Sequence, residues 1–171
     1  GIEEAIHAER LLMEPVRAEA DLVVDTSELN VHDLRDRVAG LYGDVDDRPM
    51  RTSVTSFGFR HGAPRDVDLV LDCRFLPNPH WVDELRPLSG LDAPVRNYVI
   101  GQDLAQAFLD QLDELLGLLL PAYIDEGKAY LSIAFGCTGG RHRSVAVAEE
   151  LAARLRSRGF DPAVKHRDLD R

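Results

Sequence analysis

A chain of 171 residues with 44% hydrophobic and 29% charged side chains has an ordinary globular composition, long enough for one domain with a full core. No apolar run reaches the roughly 18 residues of a membrane span, and the acidic, amphipathic opening GIEEAIHAERLLMEP does not read as a secretory leader. A net charge of −10 argues against a generic nucleic-acid surface, and two widely spaced cysteines, Cys73 and Cys137, point to a reducing, cytoplasmic setting and not a disulfide framework.

The charge is uneven. From Cys137 onward eight basic residues face five acids, so that end is positive while residues 1–136 are strongly acidic. Residues 2–20 read as a helix with Ile2, Ile6, Leu12, Val16 and Ala20 near one face and a break or kink threatened at Pro15. Leu22–Val24 reads as a short strand. Asp25-Thr26-Ser27 then offers caps to a second helix carrying Val31, Leu34 and Val38 and ending at Gly40. One strand cannot make a sheet, so residues 1–40 look like the tail of another α/β unit. The turn-rich stretch 41–50 reads as a linker, leaving 51–171 as the main domain.

Within 51–171, Thr52–Phe59 and Val67–Asp72 read as strands. The second runs into Cys73-Arg74-Phe75-Leu76-Pro77-Asn78-Pro79-His80-Trp81, an irregular segment dense in polar handles, with Asp72 at its head. Leu85–Asn97 reads as mostly turn with room for a short helix. Gln102–Asp125 is the longest helical pattern, its expected stripe being Leu104, Phe108, Leu112, Leu115, Leu116 and Leu119. Ala129–Phe135 reads as a buried strand that breaks at Gly136. The chain then passes through Cys137-Thr138-Gly139-Gly140-Arg141-His142-Arg143-Ser144 into a helix expected to begin near Arg141, and Ala163–Arg167 closes as a strand. The expected architecture is an α/β fold: a parallel or mixed sheet flanked by helices, with a strand–Gly-rich loop–helix site for an anion.

That loop carries the chemistry. Loop amides and first-turn N–H groups lack intrahelical partners, and the helix dipole adds positive charge. Gly139 and Gly140 admit close approach, and Arg143 adds a planar fork suited to phosphate. The spacing Cys-x5-Arg-Ser is also that of cysteine-dependent phosphatases. There Cys137 would be the nucleophile, and Asp72 the one reasonable candidate for the general acid. The plain alternative is a Gly-rich turn with an inert buried cysteine. No finger-like spacing joins the Cys and His residues, so no metal is expected.

Several phrases together resemble the RapZ/YvcJ family of bacterial nucleotide-binding proteins. They are Leu22–Glu28 (LVVDTSE), Ser56–Gly62 (SFGFRHG), Asp72–Trp81 (DCRFLPNPHW), Leu85-Arg86-Pro87, Gly136–Ser144 (GCTGGRHRS) and Lys165-His166-Arg167. The resemblance implies a longer protein whose N-terminal, kinase-like domain carries a Walker A loop for ATP or GTP. No G-x-x-x-x-G-K-[ST] occurs in this sequence, so no cofactor is expected here. It also implies that residues 51–171 bind glucosamine-6-phosphate and RNA, drive self-association into a homo-oligomer, and serve an RNase partner. The family positions tied to sugar-phosphate sensing or RNA binding match Asp72, His80, Cys137, Thr138, Gly139 and Arg143, with Arg60 and His61 as further candidates, and the residues expected to meet RNA are Arg60, His61, His80, Lys165 and Arg167. On this reading the module is a non-catalytic sensor; the alternatives are the Cys137 phosphatase and a pure RNA-binding or oligomerisation module working through the basic C-terminal face. Arg143→Ala should weaken the ligand and spare the fold, and Asp72 and His80 should meet the sugar end opposite the 138–143 loop.

Overall fold

The structure, a computed structural model, describes residues 1–20, 23–27, 29–31, 33–34, 37–38, 50–65 and 67–171. They divide between two compact units, Gly1–Asp47 and Arg48–Arg171.

In the first unit, helix α1 spans Ile2–Ala18 and continues through Pro15. Glu3 and Glu4 in its first turn and Arg17 in its last complement the helix dipole. Its apolar residues Ile2, Ile6, Leu12 and Val16 are exposed. Leu22 of the expected strand lies outside the described residues, and Val23 and Val24 are not in a strand. Val31, Asp33, Leu34, Arg37 and Val38 are helical; the remainder of that expected helix and linker residues 41–49 lie outside the described residues.

The second unit is built on a four-stranded, all-parallel sheet in the order β2-β3-β1-β4. The strands are β1 Arg51–Gly58, β2 Leu69–Asp72, β3 Tyr130–Cys137 and β4 Ala163–His166. Side chains alternate across a strand. Thr52, Val54 and Ser56 of β1 and Leu131, Ile133 and Phe135 of β3 therefore share one buried face, covered chiefly by helix α4, Arg143–Ser157. On the other face Arg51, Ser53, Thr55, Tyr130 and Ser132 stay exposed or half-buried. Helices α2, Ala93–Ile100, and α3, Asp103–Glu126, complete the core with Val95, Val99, Leu109, Leu112 and Leu116. No helix among the described residues is long and apolar enough to cross a membrane.

Three local expectations change. Strand β3 does not break at Gly136 but runs to Cys137, because β1 and β2 both pair with it there, through Phe57 and Asp72. A Cβ at Gly136 would lie 2.4 Å from the Phe59 ring and 2.5 Å from the Phe57 ring, so glycine here serves packing and not a turn. Helix α4 starts at Arg143, two residues later than expected, with His142 as its N-cap. The buried stripe of α3 is Ala105, Leu109, Leu112, Leu116 and Leu120, while Leu104 and Leu115 are exposed. Leucines at almost every position leave the sequence compatible with several faces, and one residue's step rotates the stripe by about 100°.

Asp68 fastens the start of β2 to β3. Its carboxylate accepts the Ser132 N–H at 2.7 Å and the Ser132 hydroxyl at 2.9 Å, and it pairs with Lys128 at 2.7 Å. The Lys128 ammonium and the Ser132 amide hold its pKa down to about 2. A depressed folded-state pKa contributes stability above the unfolded value near ~4, and that contribution fades as pH falls towards 2. Asp68→Asn is therefore expected to cost about 1 kcal/mol at pH 7 and to flatten the loss of stability between pH 4 and 2. Urea unfolding across that range reads both effects.

Candidate functional site

The carboxyl ends of the parallel strands deliver the sequence-predicted residues to one edge, where open α/β sheets place ligands. β1 ends at Gly58, β2 at Asp72 and β3 at Cys137. The loop 138–142 then crosses to the N-terminus of α4. Gly140 makes the crossing possible. Its φ is +80°, and a Cβ there would stand 2.6 Å from the Gly58 nitrogen and 2.9 Å from Cβ of Asp168. A residue with a side chain is excluded on both counts.

Cys137 sits at the floor of this loop, 3% exposed. Its Sγ receives the Gly140 N–H at 3.2 Å and lies 3.1 Å from the Ser144 hydroxyl. Burial pushes the thiol pKa up. Hydrogen bonds from the Ser144 hydroxyl and the Ser144 and Gly140 amides, with the Arg143 charge, outweigh it and leave the thiol below its ordinary value. Cys73, wholly buried, is pushed strongly upward by desolvation.

Arg143, 5% exposed, links the loop to the 72–81 segment. Its Nη1 donates to the carbonyls of Arg74 (2.9 Å) and Leu76 (3.0 Å), and its Nη2 to the Thr138 hydroxyl at 3.2 Å. Its Nε is buried and has no partner. A buried guanidinium N–H without an acceptor is costly, so this Nε–H leaves one donor of the fork unmet.

Around this fork lies a cleft of about 450 Å³. Arg60, Arg86, Arg141, Arg143 and Arg171 line it, with His80, His142, Asn78, Trp81, Cys137, Thr138 and Gly139, and no carboxylate among the described residues lines it. An acidic protein thus carries an arginine-rich pocket, of the size of a small-molecule site. Trp81 is 77% exposed on its wall.

Not every expected residue points its chemistry into the cleft. Asp72 forms a two-pronged pair with Arg74 (2.7–3.0 Å), whose guanidinium stacks 4.2 Å from the Phe59 ring centroid, and Asp72 is not among the lining residues. Its hydrogen bond and charge from Arg74 hold its pKa low, so it stays ionised. Arg141 lines the cleft but spends its guanidinium on the carbonyls of Leu88, Leu169 and Pro87. Burial lowers the pKa of His142, which lies 3.3 Å from the Arg86 carbonyl through Nε2. Ser144 is wholly buried against Cys137.

Among the residues proposed for RNA, Arg60 and His80 line the cleft, and His61 accepts the Arg60 Nε–H at 2.9 Å. Lys165 is exposed on β4, apart from the cleft lining. Arg167 is consumed by Asp168 and the Gly62 carbonyl. Sequence reasoning missed Arg86 and Arg171 as lining residues. It also missed Asp168, a fully buried carboxylate that accepts the Gly58 N–H at 2.8 Å and abuts Gly140. Burial opposes its ionisation, but the Arg167 and Gly58 hydrogen bonds prevail and its pKa is lowered. The one signal for it is an acid set directly after the basic Lys165-His166-Arg167 run.

This fold is an α/β module with a cationic cleft at the carboxyl ends of its parallel strands. Comparison with known proteins identifies its family. Residues 50–170 match the model of the RapZ C-terminal domain and residues 2–44 that of the RapZ-like N-terminal domain, and the chain belongs to the RapZ family. A nucleotide-binding protein of Thermobifida fusca is 56% identical over 168 residues, covering 98% of this chain and 57% of that protein. One from Acidothermus cellulolyticus is 53% identical over 173 residues, covering 98% of this chain and 56% of that protein. The chain thus spans little more than half the length of these relatives.

Proposed function

We propose that residues 51–171 form a non-catalytic sensor for a phosphorylated amino sugar of the glucosamine-6-phosphate type. The observation that carries this reading is the buried, unpartnered Nε of Arg143 at the head of a carboxylate-free, arginine-lined cleft. The phosphate would take the Nε–Nη2 edge of Arg143 and the loop amides up to the N-terminus of α4. Asn78, His80 and the exposed face of Trp81 offer hydroxyl partners and a stacking surface to the sugar ring. Asp72, tied to Arg74, acts in this reading by fixing the loop and not by touching the ammonium group. For the whole protein we propose ATP or GTP binding in the part that this chain does not cover, in keeping with the names of its relatives. Self-association, RNA binding and service to an RNase complete the proposal for the whole protein, with Arg60, His61 and His80 as the RNA-facing residues.

Calorimetric titration tests the reading with four ligands. Inorganic phosphate, glucose-6-phosphate and glucosamine-6-phosphate are expected to bind, and unphosphorylated glucosamine not measurably. Glucosamine binding as tightly as its phosphate would refute the cleft as a phosphate site.

A further inference from the structure

We propose that Cys137 and Cys73 form a redox pair: oxidation at the cleft closes a disulfide between them and takes apart the loop that receives the phosphate. The regulatory half of this inference rests on the function proposed above; the thiol chemistry does not.

The geometry starts from sheet register. Asp72 pairs with Gly136 across the parallel strands β2 and β3, and the Cys73 N–H donates to the Gly136 carbonyl at 2.7 Å. That bond closes the Asp72–Gly136 pair, and Cys73 and Cys137 are the next residues along the two strands. Neighbouring strands lie about 4.8 Å apart, within the roughly 4.4–6.8 Å between Cα atoms that a disulfide spans. By alternation Cys137 shares its face with Leu131, Ile133 and Phe135, and Cys73 shares its face with Leu69 and Leu71. Both thiols are reduced and buried on the helix-covered side of the sheet.

The two differ in access. Cys137 lines the cleft, under the Arg143 guanidinium and the Gly140 N–H, surroundings that favour a thiolate. Cys73 is 0% exposed, so an oxidant reaches the pair through Cys137. With hydrogen peroxide, the Cys137 thiolate attacks one oxygen. The S–O bond forms, the O–O bond breaks, and the departing hydroxide is protonated to water. Sulfur is oxidised by two electrons to a sulfenic acid. Cys73 sulfur then attacks Sγ of Cys137; the S–S bond forms, the S–O bond breaks, and hydroxide leaves with the Cys73 proton as a second water. Such transient disulfides are the kind that reducing compartments host.

In the disulfide, Sγ of Cys137 turns to Cys73 and forfeits the Gly140 amide and the Ser144 hydroxyl. Those two contacts hold the loop against the start of α4. Oxidation should therefore release the amides that the phosphate needs, while the rest of the sheet persists.

The test treats the 171-residue chain with limiting hydrogen peroxide. Peptide mapping without reductant should find an intramolecular Cys73–Cys137 disulfide that dithiothreitol reverses. In Cys73→Ala, dimedone should instead trap Cys137 as the sulfenic acid. Hydrogen exchange of amides 138–144 should rise on oxidation, and affinity for inorganic phosphate should fall by about ten-fold or more, as expected for the loss of a charged hydrogen bond. Surviving thiols, or Cys137 sulfinic acid without a disulfide in the native sequence, would overturn the pair. A disulfide with unchanged exchange at 138–144 would overturn its effect on the loop. Reduced protein that binds no phosphate yet forms the disulfide and loosens the loop would sink the proposed function and leave the redox pair standing.

Discussion

Arg143→Ala should weaken inorganic phosphate binding by about 100-fold or more, because it removes both charge-assisted bonds of the Nε–Nη2 edge. The sequence alone suggests that this substitution spares the fold. The structure revises that expectation, since Nη1 also holds the Arg74 and Leu76 carbonyls. Stability should fall by about 2–4 kcal/mol as those acceptors lose their donor. Arg143→Lys separates the two roles: an ammonium can serve one carbonyl or the ligand as a point charge but cannot fork between them. It should regain part of the stability in urea unfolding and little of the phosphate affinity in calorimetry.

Gly140→Ala should be the most disruptive single-methyl change in the loop. The positive φ alone costs a non-glycine residue about 1–2 kcal/mol, and the clash with the Gly58 nitrogen brings the total to about 2–4 kcal/mol. Gly139→Ala is the built-in control. The nearest atoms to a Cβ there belong to the Arg60 side chain at 3.7 Å or more, and its φ is not positive. It should change stability by less than about 1 kcal/mol. Equal losses for both variants in denaturant titration would mean that the loop does not rest on the Gly58–Gly140 approach.

What was readable beforehand follows a physical division. The strand, loop and helix around Cys137 announce themselves locally: a β-prone apolar run, paired glycines, then an Ala- and Glu-rich helix. The place of the cleft and Arg143's position in its lining follow from that order. The partners of these groups do not. Nothing local distinguishes Arg141, spent on three backbone carbonyls, from Arg143, with an open edge, two residues on. Asp72 and Arg74 stand two apart in an irregular segment, so the sequence does not disclose that they pair with each other and leaves Asp72 looking free for a ligand. Arg171 reaches the cleft from the far end of the sequence through tertiary packing alone, and Arg86 through the turns that follow Trp81. In α3 an excess of leucine hid which stripe would face the core.

The most direct test watches one proton. In a nitrogen-15 spectrum of the protein, the Arg143 Nε–H resonance should shift strongly and gain protection from exchange on addition of inorganic phosphate, saturating together with the amides of residues 139–144. Glucosamine-6-phosphate should saturate the same signals and also move the Trp81 indole. If phosphate leaves the Arg143 Nε–H unmoved while it perturbs residues elsewhere, the buried fork is not the anion site and the account of this cleft is wrong.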